Sequence, residues 1–241
     1  MLPGMTKKIL LVQHTDGTTP GHTLSWLKDR GHSFQHISLY KGETFPDLNE
    51  VSALILCGGG VHVDQEDKYP WLRPEKNFVE RAIHRGLPIV GLCLGGQLCA
   101  QVLGAKVYPH PQGWEVGWHP VNLRETPDLP GFEIDQELIF SQYHRYIFEL
   151  PPGAKAIAWN DWWAVQAFEW KQQVLGFQFH PERDAAGNLY KAEDPDPPSA
   201  DQGRVHGKDE ILRLGGRHEP QTARWFLSML DGFIGKKIQP D

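Results

Sequence analysis

The heptapeptide Gly91-Leu92-Cys93-Leu94-Gly95-Gly96-Gln97 joins an apolar run, Leu87 to Leu92, to a helical run that ends at Gly104. A strand that becomes a helix within one residue leaves little room for side chains, so small residues must flank the turn. The strand shows no alternation of apolar and polar residues, as expected of one covered on both faces, and Pro88 is tolerated because it stands near the start. Similar runs fill the N-terminal half. Ile9 to Val12, Phe34 to Leu39 and Ala53 to Cys57 read as strands, while Thr23 to Arg30, stopped by Gly31, and Trp71 to Arg85, closed by Gly86, read as helices. Strands alternating with helices predict βαβ units around a mostly parallel sheet.

Beyond Gly104 the runs shorten. Val107-Tyr108, Glu115 to Leu123, Ala154 to Trp159, Ala164 to Trp170 and Val174 to Phe179 read as short, antiparallel strands. The predicted fold is α/β: a mixed, mostly parallel central sheet flanked by helices, with a smaller antiparallel sheet. Residues 1–241 are expected to form a single domain. Within it, 186–219 breaks the pattern, because Glu193-Asp194-Pro195-Asp196-Pro197-Pro198-Ser199 is too acidic and proline-rich for a packed element and reads as an exposed insertion or loop. Pro220 to Phe233 recovers a helical stripe, which predicts a closing helix docked on the sheet.

Composition excludes several classes of function. The 24 Lys and Arg against 30 Asp and Glu leave a net charge of -6, with no long basic stretch to neutralise phosphates, so nucleic acid is not an expected partner. No apolar run approaches the roughly 20 residues of a bilayer span, and Met1 to Lys8 lacks the apolar stretch of a secretory signal; no membrane association is expected, and the cytoplasm is the expected compartment. Three cysteines, Cys57, Cys93 and Cys99, are an odd, sparse set unlike a disulfide framework. Cys57, ending a strand, and Cys99, inside a helix, read as core thiols. No Cys/His cluster has ligand spacing, and Gly58-Gly59-Gly60 matches neither a dinucleotide nor a Walker loop, so neither metal nor cofactor is expected.

Chemistry concentrates on Cys93. The helix that follows aims free N–H groups and its positive dipole end at the sulfur, which predicts a thiolate. A thiol nucleophile needs an imidazole to carry its proton and a third group to hold the imidazole. Val174-Leu175-Gly176-Phe177-Gln178-Phe179-His180-Pro181-Glu182 ends a strand with both, at the carboxyl edge where open α/β sheets place their ligands. Pro181 stops the strand and turns Glu182 back toward His180.

Gly91 to Gln97 resembles the nucleophile motif of class I glutamine amidotransferases, and Phe179-His180-Pro181-Glu182 resembles the motif that supplies their histidine and glutamate. The resemblance continues through Gly58-Gly59-Gly60, Tyr69-Pro70-Trp71, Trp114 to Trp118, Gln142-Tyr143-His144 and Leu150 to Gly153. These look most like the amidotransferase portion of GMP synthase and its free-standing relatives, including γ-glutamyl peptidases. The resemblance implies that Cys93 forms a γ-glutamyl thioester, that His180 shuttles the proton and that Glu182 orients His180. It also implies an oxyanion hole from the N–H of Leu94 and one from the Gly59 and Gly60 turn, with Gln97 and His144 touching the glutamyl moiety. The expected partner is a small-molecule γ-glutamyl substrate and, where released ammonia is used elsewhere, a separate synthetase subunit. A catalytically silent glutamine-binding module is the alternative of another class, although all three triad residue types are present.

Overall fold

The computed structural model describes residues 7–126, 128–194 and 197–238. The chain runs β1 (Lys8–Gln13), α1 (His22–Asp29), β2 (Phe34–Ser38), β3 (Val51–Leu56), α2 (Leu72–His84), β4 (Ile89–Leu92), α3 (Leu94–Val102), β5 (Val107–Pro109), β6 (Trp114–Leu123), β7 (Gln136–His144) and β8 (Tyr146–Phe148). It continues through β9 (Lys155–Trp159), β10 (Ala167–Trp170), β11 (Val174–Phe177), α4 (Ala185–Ala192), β12 (Gly203–Val205) and α5 (Lys208–Phe233). Ten strands form one mixed sheet in the order β12-β6-β9-β10-β11-β4-β3-β1-β2, with β7 also on β6, and β5 and β8 form a separate antiparallel pair. The stretch from β2 to β11 is parallel, as the uniformly apolar strands predict.

That uniformity has a direct cause. Ile9 and Leu11 of β1 pack with Trp26 and Leu27 of α1 and with Phe226 of α5, whereas Leu10 and Val12 pack with Phe78 and Val79 of α2. Successive residues point to opposite faces, and both faces are covered, so every position is apolar. Most of the short antiparallel strands extend the main sheet beyond β11. No helix among the described residues is long and apolar enough to cross a membrane.

Two readings need correction. Strand β7 escaped notice because its buried side carries Leu138, Phe140, Gln142 and His144, half of them polar, so the hydrophobic alternation is lost. The stretch 186–219, expected as an exposed insertion or loop, carries most of α4, the whole of β12 and the start of α5, and much of it is exposed. Asp184 caps α4 by accepting from the Gly187 N–H at 2.8 Å, β12 pairs in parallel with Trp114 to Val116, and α5 starts at Lys208 rather than Pro220. Packing, not apolar content, holds this region: a Cβ on Gly215 of α5 would stand 2.8 Å from Asn188 Nδ2 of α4. Pro220 lies inside α5 and removes one helical N–H there. Of the acidic run, Pro195 and Asp196 lie outside the described residues, as do Met1 to Thr6.

Candidate active site

Strands β4 and β11 pair in parallel from Ile89 with Val174 to Leu92 with Phe177. Both therefore end at the same edge, and the N–H of Cys93 makes the next rung by donating to the Phe177 carbonyl at 2.8 Å. Cys93 then turns with φ 49, a conformation L-residues seldom adopt, and Leu94 opens α3. The glycines around it do more than clear space for the thiol. A Cβ on Gly91 would stand 2.5 Å from the Gly95 carbonyl group, and one on Gly95 would stand 2.3 Å from the Leu56 oxygen, so they let α3 seat directly on β4 and β3.

Three residues beyond Phe177 stands His180. Its N–H donates to the Ser141 carbonyl of β7 at 2.8 Å, and Phe179 stacks on Phe140 with ring centres 4.3 Å apart. The ring Nδ1 is 2.8 Å from Glu182 Oε1, leaving Nε2 for another partner. Glu182 is anchored in turn, its carbonyl accepting from the His22 N–H at the start of α1 at 2.8 Å. Gly58 lies against both halves of the site, since a Cβ there would be 2.8 Å from His180 Cε1 and 3.6 Å from Cys93 Cβ. Cys93, His180 and Glu182 are thus gathered at one rim, each about 5% exposed. Cys93 Sγ also lies 3.9 Å from Gln178 Nε2 and 4.0 Å from the Tyr143 carbonyl oxygen.

Burial sets the protonation states. Desolvation, joined by the negative charge of Glu182, pushes the Cys93 thiol up to about 12, against the opposing effects of Arg183, the Leu94 N–H and Lys191. Desolvation and the Arg183 cation pull His180 down to about 4 despite Glu182. At neutral pH the resting pair is therefore a thiol beside a neutral imidazole. The thiolate expected from the helix end is not the ground state: one N–H and two nearby cations do not outweigh the loss of water around sulfur.

The thiol opens into a cleft of about 90 Å³ lined by Gly59, Gly60, Gln97, Tyr143, His144 and Tyr146, among others. As first residue of α3, Leu94 has no intrahelical acceptor for its N–H, and no backbone carbonyl takes the N–H of Gly59 or Gly60 among the described residues. Gln97 and His144 reach the same cleft, each already held. Gln97 Nε2 donates to the Tyr146 carbonyl at 3.0 Å. His144 Nε2 lies 3.1 Å from both Glu115 Oε2 and Gln142 Oε1, which places its proton there and leaves the buried Nδ1 without a partner.

Sequence reasoning overlooked the supports. Glu115, completely buried, accepts from Asn160 at 2.7 Å and Gln166 at 2.9 Å as well as facing His144. His14 joins Glu75 through Nε2 at 2.7 Å and reaches the Gly58 carbonyl through Nδ1 at 3.3 Å, tying the glycine turn to α2. Arg183, directly after the recognised motif, and Lys191, in the segment read as a loop, bring positive charge to the rim. Arg183 had a signal in its adjacency to Glu182, and Glu115 had one in the stretch Trp114 to Trp118. Among the described residues, no group of three His, Cys, Asp or Glu is placed to hold a metal ion.

Comparison with known proteins agrees with this geometry. The family model described as glutamine amidotransferase class-I matches residues 27–188. The chain is 28% identical over 183 residues to the glutamine amidotransferase-like protein YfeJ of Salmonella typhimurium, covering 73% of this chain and 75% of that one. It is 30% identical over 139 residues to the glutamine-hydrolysing GMP synthase of Streptococcus equi subsp. zooepidemicus, covering 56% of this chain but only 25% of that longer protein. Among solved structures, a glutamine amidotransferase from Methylobacillus flagellatus superposes with a TM-score of 0.89 at 26% identity, covering 98% of this chain and 96% of the other. One from Thermotoga maritima gives 0.82 at 26% identity, with 98% and 99% covered.

Proposed function

Because the chain belongs to the class I glutamine amidotransferase family, whose chemistry is cysteine-dependent amide hydrolysis, we propose that it cleaves γ-glutamyl amides through a thioester on Cys93. The observation that carries this reading is the convergence of Cys93, His180 and Glu182 at the end of one parallel strand pair. His180 takes the thiol proton through Nε2 as sulfur attacks the γ-carbonyl. The carbonyl electrons move to oxygen, where the N–H groups of Leu94 and of Gly59 or Gly60 receive the charge. On collapse the C–N bond breaks and the nitrogen leaves with the proton from His180. Water then attacks the thioester, giving its proton to His180. The C–S bond breaks and the thiol is restored with release of glutamate.

Neutral resting groups suit this sequence. The proton leaves sulfur only as the bond to carbon forms, so the buried site never holds a free thiolate beside Glu182 without substrate. Gln97 and His144 line the acyl side of the cleft.

Two substrate classes fit. γ-Glutamyl peptides need no ammonia acceptor, and the similarity to YfeJ and to the two amidotransferase structures covers most of each chain. Similarity to a quarter of GMP synthase supports a second reading, a glutaminase subunit whose ammonia passes to a separate synthetase. Incubating the purified chain with glutamine and with γ-glutamyl dipeptides separates them: dipeptide turnover by the chain alone supports the first, and glutaminase activity only in the presence of another subunit supports the second. Cys93→Ala abolishes both, and full activity in that variant would remove the nucleophile from the scheme. Failure of a diazo-ketone glutamine analogue to label Cys93 would favour a silent binding module instead.

A further inference from the structure

A second, narrower cavity of about 20 Å³ adjoins the cleft, and Thr18, His180 and Lys191 line both. Its walls include Thr18, Thr19, Gly58, Glu182, Arg183 and Lys191. Two of these are cations. Arg183 is only 7% exposed, and no carboxylate forms an ion pair with its guanidinium among the described residues. The acidic groups that act on it are engaged elsewhere, Glu182 Oε1 with His180 and Asp184 Oδ1 with the Gly187 N–H. Lys191 places Nζ 4.0 Å from the centre of the Tyr143 ring and 5.0 Å from that of Tyr190. Burial, followed by repulsion from Arg183, lowers its ammonium to about 8 against the pull of Asp194, which accepts from the Tyr143 hydroxyl. Two like charges held together in a half-dry wall cost free energy that a bound anion would return.

We propose that this cavity is the leaving-group subsite, and that Arg183 and Lys191 there receive the α-carboxylate of an amino acid joined to the γ-glutamyl group. The proposal rests on the hydrolase reading of Cys93 and His180. His180 must hand its proton to the departing nitrogen, so the scissile bond lies between the two cavities, with the glutamyl part on the side of Gln97 and His144. In an amino acid the carboxyl carbon lies about 2.5 Å from the nitrogen, close enough to enter the cavity beyond His180. The volume fits. A single water needs about 10–15 Å³ by the same kind of measure, so the space admits a carboxylate and excludes a large side chain, which must turn toward solvent. The one anionic wall, Glu182, is already held by His180 Nδ1 through Oε1. In the step itself the C–N pair goes to nitrogen and the proton from the Cys93 thiol follows through His180. A second proton from water makes the product ammonium.

γ-Glutamylglycine and γ-glutamylglycinamide differ only in this charge. With the purified full chain, kcat/KM is expected to favour the free acid by about ten- to a hundredfold, the range of a charged hydrogen-bonded contact. Arg183→Gln and Lys191→Gln should each bring the ratio toward one, and Lys191→Arg should restore most of it. Because both substrates are measured on one preparation, the ratio does not depend on the folded fraction. Equal kcat/KM for the two in the unmodified protein, or an unchanged ratio in both Gln variants, overturns the subsite and leaves the hydrolase reading standing. Glutamine turnover or Cys93 labelling without dipeptide turnover does the same. No turnover of glutamine or either dipeptide, together with no labelling of Cys93, removes the hydrolase reading and the subsite with it.

Discussion

Cys93 donates its backbone N–H to the Phe177 carbonyl at 2.8 Å, and that single rung couples the nucleophile turn to the strand that carries His180. The coupling depends on how closely α3 sits on β4. A Cβ at Gly91 would meet the Gly95 carbonyl group at 2.5 Å and the Gly96 nitrogen at 2.7 Å, all backbone atoms that cannot rotate away. Gly91→Ala is therefore expected to lower the unfolding free energy by about 1–3 kcal/mol, and to reduce kcat/KM more than the loss of folded protein explains. Urea unfolding and active-site titration read the two effects. Native stability with native turnover would show that α3 is not seated by this glycine.

The protonation states predict a pH profile. With the Cys93 thiol at about 12, alkylation of the free enzyme by iodoacetamide should be slow at pH 7 and still rising at pH 9. A rate already level at neutral pH would mean a resting thiolate. With His180 near 4, the imidazole stays neutral in mild acid, so kcat/KM should hold until about pH 5. An inflection near 6.5 that vanishes in His180→Ala would contradict the burial of that ring.

Glu182 acts through His180. Its Oε1 at 2.8 Å from Nδ1 holds the proton on that nitrogen and leaves Nε2 bare for the thiol. Glu182→Gln is expected to cost two to four orders of magnitude in the acylation rate, with a smaller change in KM. His180→Ala should cost at least as much. Stopped-flow acylation within tenfold of the native rate in the Gln variant would show that Glu182 does not set the ring.

Legibility followed the kind of force at work. β1, β3 and β4 could be read because both of their faces are covered by helices, which makes every position apolar. The triad could be read because Gly91 to Gln97 and Phe179 to Glu182 are short, contiguous motifs. β7 as a strand could not, since its buried side mixes Leu138 and Phe140 with an amide and an imidazole whose partners lie elsewhere, on Glu115 of β6 and on Gln166. The same holds for α4. The helix that carries Lys191 packs Asn188 on Gly215 of α5, a contact between an amide and a glycine that no hydrophobic period signals. The strength of Cys93's helix end was overestimated for a related reason: sequence displays the dipole but not the desolvation.

Behind the glycine turn, His14 and Glu75 form a completely buried pair that makes stability depend on pH in a distinctive window. His14 faces two acceptors, Glu75 Oε1 at 2.7 Å and the Gly58 carbonyl at 3.3 Å, which only the imidazolium satisfies together. Burial pulls its pKa down, but Glu75 and the carbonyls of Gly58 and Cys57 outweigh burial and raise it above 6.5. The folded state thus binds the proton more tightly than the unfolded chain. This contribution is complete below the unfolded value and is lost as pH rises through the raised folded one, at no more than about 1.4 kcal/mol per pH unit. Histidines with a lowered pKa act in the opposite direction in the same window. His119 and His180, lowered to about 4, favour the folded state as pH rises until the unfolded chain has shed its imidazolium protons, and Lys191, lowered to about 8, adds the same sign at the upper end, so the difference between native protein and a His14 variant isolates this pair. Urea unfolding between pH 6.5 and 8.5 should therefore show the stability advantage of the native protein over His14→Gln shrinking as pH rises. A variant with the same slope as the native protein would mean that the proton is not held at His14. Loss of the pair also frees the Gly58 carbonyl, so the variant's kcat should fall even where it remains folded, because the Gly59 and Gly60 N–H groups beside Cys93 lose their anchor to α2.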